Sequence, residues 1–126
     1  MGDYWRQQPH VWQAGVPVEE IQARQAVERA PILADLDSGR LTVRTVLLDR
    51  RGRTVREVRL DGEIIGRLRR YQAGRTTYLQ VIALWEGRWR ECSSGMPHDD
   101  ELEALVRLYG WRADAAWRGR SLGVTL

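Results

Sequence analysis

Arginine side chains gather at two predicted β-turns, and this is the strongest chemical signal in the chain. Arg50, Arg51 and Arg53 surround the first turn. The residues that flank the other turn are Arg67, Arg69, Arg70, Tyr71 and Arg75. A guanidinium group binds phosphate through paired N–H donors, a β-ribbon fits a major groove or lies along a nucleic-acid backbone, and an aromatic ring stacks on a base. The hairpins of residues 50–75 therefore predict DNA or RNA as a ligand.

The same arginines also have an ordinary structural interpretation. They would lie on a solvated strand face and pair with Glu57, Glu63 and the carboxylates of the predicted helices. The net charge of +3 is low for a protein that binds polynucleotides. The two interpretations differ in one observable, which is whether the guanidinium groups lie side by side without acidic partners.

Positive charge is concentrated in one segment of the chain. Residues 1–39 contain three arginines and six acidic residues, a net charge of −3. Residues 40–75 contain eleven arginines and four acidic residues, a net charge of +7. Residues 76–126 contain six arginines and seven acidic residues, a net charge of −1. The basic segment is also the one whose pattern predicts β-hairpins.

Six tryptophans form the second chemical signal. The three that we expect to fill the core are Trp85, Trp89 and Trp111. Trp5, Trp12 and Trp117 lie in the terminal segments, where a large aromatic side chain can anchor a protein interface. In the simpler alternative, both terminal segments fold back on the body of the protein.

Residues required by the common catalytic and metal-binding motifs are missing. The chain has no lysine, which excludes a GxxxxGK phosphate-binding loop and Schiff-base chemistry. One cysteine and two distant histidines are too few for a zinc site of the Cys/His type. Acidic residues 99–101 open a predicted helix, where negative charge stabilises the helix dipole.

The pair of Cys92 and His98 is the remaining catalytic candidate, because a loop of six residues would bring base and thiol together. Cys92 lies on a predicted strand, where a buried structural thiol is the commoner state. Residues 93–95 lack the leading glycine of a GxSxG nucleophile turn. We therefore predict a protein that is not an enzyme and that uses no cofactor or metal.

Length and composition predict one globular domain. The chain has 126 residues, of which 43% are hydrophobic and 29% are charged. No apolar run approaches the ~20 residues of a membrane span, no secretory signal is recognisable, and Cys92 alone cannot form an intrachain disulfide. These features predict a cytoplasmic protein without membrane contact. The absence of Lys, Asn and Phe, whose codons are AT-rich, is typical of a GC-rich bacterial genome.

Two helices are predicted, one at each end of the β segment. Pro17 and helical spacing of apolar residues predict a helix over 18–29, and Pro31 should end it, with a further short turn before Gly39. A second helix is predicted from residue 99 to the stop at Gly110. Residues 111–126 are expected to add one turn and then an extended tail.

Alternating apolar residues and turn signals predict five strands between the helices. They are placed at 40–47, 54–60, 63–70, 77–85 and 88–92, with loops at 71–75 and 93–98. For the second hairpin we expect a three-residue loop that pairs Val58 with Ile64 and Thr54 with Leu68, and sets Arg59 opposite Glu63. This register keeps the apolar residues on one face and the charged residues on the other.

The sequence thus predicts an α+β fold, an antiparallel β-meander of about five strands flanked by an N-terminal and a C-terminal helix. Residues 1–16 would form an irregular arm, 17–110 the domain and 111–126 an extension. The predicted function is that of a small regulatory protein that binds nucleic acid through hairpins 50–75. The alternative is a protein-interaction module that uses its Trp-bearing termini or a sheet edge to bind a partner or a second copy.

Overall fold

The computed structural model describes residues 17–48, 53–96 and 100–125. Its elements are α1 (Val18–Asp37), β1 (Leu41–Leu48), β2 (Thr54–Leu60), β3 (Glu63–Ala73), β4 (Thr76–Trp85), β5 (Arg88–Met96) and α2 (Glu101–Thr125). The five strands form one antiparallel sheet in the order of the chain. The predicted α+β fold with a β-meander between two helices is confirmed. The predicted N-terminal arm lies outside the described residues.

Both helices are longer than predicted. Helix α1 continues through Pro31 to Asp37. It does so because Ile32, which directly follows the proline, is fully buried in the core and anchors the second half of the helix. Helix α2 likewise continues past Gly110 to Thr125, so the predicted extended tail is wrong. Tyr109 and Trp111, on either side of Gly110, pack against the core. This packing outweighs the cost of a glycine within a helix, which is about 1 kcal/mol relative to alanine.

Two predicted loops are partly strand. Strand β3 continues to Ala73, and a two-residue turn with Gly74 at φ +63° leads into β4. Tyr71 therefore lies in the ladder opposite Tyr78 and not in a loop. Strand β5 also extends to Met96, four residues beyond the predicted end.

The hairpin between β2 and β3 closes with a two-residue turn, so the predicted three-residue loop is wrong. Asp61 and Gly62 both have positive φ, and Leu60 pairs with Glu63. A register shift follows between Val58 and Arg59, after which Val58 pairs with Gly66. This bulge achieves what the longer loop was expected to do, because it keeps the apolar residues of both strands on one face.

The core lies between the helices and one face of the sheet. Its buried residues are Ile32, Leu41, Val58, Ile65, Leu68, Leu79, Val81, Ala83, Ala104, Leu105 and Leu108. Gly66 allows α2 to approach the sheet closely, since a Cβ there would lie 2.7 Å from the Ile82 carbonyl oxygen and 3.0 Å from the Leu108 methyl groups. Neither described helix combines the length and the apolar composition needed to cross a membrane.

Polar contacts fix the two helices to the same side of the sheet. Arg56 on β2 donates from Nη2 to Glu101 Oε1 at the start of α2, at 3.0 Å. The hydroxyl of Tyr109 donates to Asp35 Oδ2 at 2.8 Å, which joins α2 to α1. Burial, followed by this hydrogen bond, raises the pKa of Tyr109. Because both described helices lie on one face of the sheet, the alternate residues of each strand point to the opposite face.

Candidate nucleic-acid interface

The face of the sheet opposite the helices is rich in arginine and aromatic residues. Alternation along each strand and the strand register place the following residues on it. They are Thr42, Arg44, Val55, Glu57, Arg59, Ile64, Arg67, Arg69, Tyr71, Tyr78, Gln80, Ile82, Leu84, Trp89 and Glu91. We call this surface the Arg-rich face. Four arginines and two carboxylates give it a net charge of +2.

The structure brings only part of the predicted arginine cluster together. Arg67, Arg69 and Tyr71 alternate along β3 and share the Arg-rich face. Arg70 lies between them in sequence and therefore belongs to the helix-covered face, where it pairs with the core residue Leu79. The other predicted residues are elsewhere: Arg53 immediately before β2, Arg75 in the turn after β3, and Arg50 and Arg51 outside the described residues.

Two further arginines on this face were not among the predicted site residues. Strand pairing sets Arg44 opposite Glu57, and Thr42 opposite Arg59. Together these four residues line a cleft of about 450 Å³ at the edge of the sheet. Their alternation was visible in the sequence, but the pairing of β1 with β2 is needed to place Arg44 beside Glu57.

Glu57 is the buried acid of the cleft. It is only 7% exposed, although its neighbours on the face are polar. Arg59 donates from Nε to Glu57 Oε1 at 2.7 Å and from Nη1 to the Gly62 carbonyl oxygen at 3.1 Å. These two bonds hold the guanidinium group of Arg59 in one orientation against the carboxylate.

Aromatic rings lie beside the arginines of β3. Tyr71 and Tyr78 stack with their centroids 5.5 Å apart and their planes at 19°. The Arg69 guanidinium lies 5.8 Å from the Tyr71 ring centre, and the Arg67 guanidinium lies 4.4 Å from that of Trp89. These distances are within the range of cation–π contacts. The face therefore combines positive charge with π surfaces.

Trp89 is not the core residue that we predicted. Its side chain is 44% exposed because β5 is an edge strand and Trp89 lies opposite Leu84 on the Arg-rich face. Trp85 and Trp111 do meet, edge to face, with their centroids 6.1 Å apart, and Trp111 packs against the core.

Acidic partners neutralise some of the arginines but not all. Within the described part of the chain, Arg44, Arg67 and Arg69 form no ion pair with a carboxylate. Glu91, the second acid of the face, accepts a hydrogen bond from Gln80 Nε2 at 3.0 Å. Arg67 also has a buried Nε that donates no hydrogen bond to any described group. The ordinary interpretation, in which each arginine pairs with an acid, thus accounts for Arg59 and not for these three.

The remaining candidate residues either lie away from the Arg-rich face or fall outside the described residues. Cys92 is half-buried on β5, where burial raises the pKa of its thiol to about 11, and His98 lies outside the described residues. Trp117 on α2 is 62% exposed, whereas Trp5 and Trp12 are not described. Among the described residues, no three His, Cys, Asp or Glu side chains are grouped so that they would hold a metal ion.

No family model, curated protein or solved structure matches this chain. The function of the protein is therefore inferred from the side chains of the Arg-rich face.

Proposed function

We propose that the protein binds single-stranded nucleic acid on the Arg-rich face, as a non-enzymatic regulatory protein of the bacterial cytoplasm. One observation carries the proposal: Arg44, Arg67 and Arg69 share a sheet face with three aromatic rings and form no ion pair with the described carboxylates. Single strands bind to such surfaces because phosphates contact the guanidinium groups while bases stack on aromatic rings.

The width of the sheet favours a single strand over a duplex groove. Five strands about 4.8 Å apart span roughly 19 Å, whereas a B-DNA major groove is about 12 Å wide. The two-stranded ribbon considered from the sequence would enter a groove, but its strands β2 and β3 lie inside a broader sheet. A broad sheet face suits unpaired bases, whose edges and faces are accessible.

Replacing Arg67 and Arg69 by glutamine should weaken binding of a labelled 12-nucleotide single strand at least about tenfold, because two phosphate contacts are lost. The measurement is fluorescence anisotropy at several salt concentrations. Each lost phosphate contact reduces the slope of log K against log salt by about 0.7, so the double variant should reduce it by about 1.4.

The matched control replaces Arg24 and Arg118 by glutamine. These residues lie on α1 and α2 and are largely exposed, and among the described residues they pair only with the helical neighbours Glu20 and Asp114. The control changes the net charge by the same amount but should leave affinity and salt slope unchanged. Equal losses in both variants, or no binding by the wild-type protein at low salt, would refute the proposal.

Self-association is a second candidate function, favoured by the apolar end of β1. This strand is an edge of the sheet, and Val46, Leu47 and Leu48 are 42%, 55% and 70% exposed. An exposed apolar edge strand offers unpaired backbone groups to a second copy of the chain. Such a dimer would extend the sheet and place two Arg-rich faces side by side.

We expect Leu48→Glu to shift this association towards monomer, because it places a charge in the strand–strand contact. Val27→Glu is the control, since Val27 is similarly exposed, at 73%, but lies on α1. Sedimentation over a range of protein concentrations measures the change in mass. A wild-type protein that is monomeric at all concentrations would exclude the edge as a self-association site.

A further inference from the structure

We propose that the cleft lined by Thr42, Arg44, Glu57 and Arg59 selects guanine in the bound strand. The inference rests on the proposed nucleic-acid function and adds a base preference to it. The first observation is that Glu57 is buried within a face whose net charge is positive. A carboxylate there reduces affinity for phosphate, so the proposed phosphate binding does not explain its presence. Glu57 lies in the wall of a cleft of about 450 Å³ that is open on the Arg-rich face.

Hydrogen bonding leaves the Glu57 carboxylate with spare acceptor capacity. An ionised carboxylate has about four lone-pair sites, and among the described residues Arg59 uses one of them, on Oε1. Arg59 is itself held by the Gly62 carbonyl oxygen, so its position is fixed before a ligand arrives. Arg44, opposite Glu57 on β1, is exposed and makes no ion pair with the described acids. The cleft therefore presents an oriented acceptor beside an available donor.

Guanine matches this arrangement better than the other bases do. Its N1–H and N2 amino group are adjacent donors that suit the two oxygens of Glu57, while its O6 and N7 are acceptors that suit the Arg44 guanidinium. Cytosine has one amino donor beside its acceptors, adenine also has one amino donor, and uracil has a single imide N–H. We expect guanine to bind most tightly and the other three bases to bind more weakly.

The cleft is continuous with the rest of the platform. Glu57 pairs across the sheet with Arg67, whose guanidinium lies over Trp89. A strand that places guanine in the cleft can therefore bring its neighbouring phosphates to Arg67 and its neighbouring bases to the aromatic rings. Glu57 contributes to base selection, whereas Arg67 and Arg69 contribute to general affinity, so the two properties are separable by mutation at these residues.

The experiment compares the labelled oligonucleotides (UUG)4, (UUC)4, (UUA)4 and U12 at one salt concentration. We expect (UUG)4 to bind about tenfold more tightly than U12, since one well-formed paired hydrogen-bond contact discriminates between bases by roughly 5- to 150-fold. Equal binding of all four would overturn the guanine assignment and leave the proposed function intact. If none binds, the proposed function itself fails.

Glu57→Gln should reduce the ratio of (UUG)4 to U12 affinity to about 2 or less, because an amide offers one acceptor oxygen and a donor group that repels the guanine amino group. The affinity for U12 should rise, because the substitution removes a negative charge from the face that contacts phosphate. Glu91→Gln is the matched control, since it removes the other carboxylate of the same face, outside the cleft. An unchanged ratio in the Glu57 variant, or an equal change in both variants, would overturn the proposal.

Two further measurements complete the test. One does not depend on the stability of the Glu57 variant, and the other distinguishes a guanine within a strand from a free guanine nucleotide. Arg44→Gln, at an exposed position, should lower the same ratio several-fold even if the Glu57 variant proves unstable, and an unchanged ratio would contradict the assignment. Titration with 5′-GMP distinguishes a free nucleotide from a strand. We expect GMP to bind about a hundredfold more weakly than (UUG)4, because it lacks the other phosphates. Equal affinities would overturn the assignment to a strand.

Discussion

Leu108→Ala is expected to lower the free energy of unfolding by about 3 kcal/mol. Leu108 is fully buried on α2, and its methyl groups lie against Gly66, where the sheet has no side chain. Truncation to alanine therefore removes transfer free energy and leaves a cavity that neighbouring atoms cannot fill without moving the helix. This is the largest effect that we expect from a single substitution.

Urea denaturation followed by circular dichroism measures this change, as a lower midpoint with an unchanged slope. The control is Leu33→Ala on α1, where the leucine is 50% exposed and the expected loss is below about 1 kcal/mol. If Leu108→Ala costs no more than Leu33→Ala, α2 does not pack on the sheet as described. The opposite face of the sheet would then also be uncovered by a described helix, as the Arg-rich face is.

The thiol of Cys92 should react with a disulfide reagent about a hundredfold more slowly in the native protein than in the unfolded chain at pH 8. Burial raises the pKa of this thiol from 9.0 to about 11, and the thiolate is the reactive species. At a pH below both values, an increase of two in pKa reduces the thiolate fraction by about two orders of magnitude. Because the chain has one cysteine, the signal has a single source.

The pH dependence provides the check on this prediction. The native rate should increase about tenfold per pH unit between pH 7.5 and 9.5, whereas the rate of the unfolded chain should begin to level off near pH 9. Since the folded-state pKa is the higher one, the associated stability is present below pH 9 and is lost as pH rises through about 11. Similar native and unfolded rates at pH 8 would show that Cys92 is not protected by β5 and the core.

Local patterns were sufficient for the strands and several of their turns. Alternation predicted β2 as residues 54–60, the bounds that the structure has, and turn residues located the two-residue connection at Glu86 and Gly87. Local patterns were not sufficient for the hairpin after β2. The requirement that apolar residues share one face predicts a three-residue loop there, but the bulge beside Val58 meets the same requirement with a two-residue turn.

The sequence by itself determined the fold class, the basic character of the β segment and the common face of Arg67 and Arg69. Periodicity and composition are local properties, so they can be read without knowing which elements meet. Only the tertiary structure decided the continuation of the helices past Pro31 and Gly110, the exposure of Trp89 and the cleft around Glu57. Each of these depends on contacts between residues that are distant in the chain, and such contacts outweigh local propensities of about 1–3 kcal/mol.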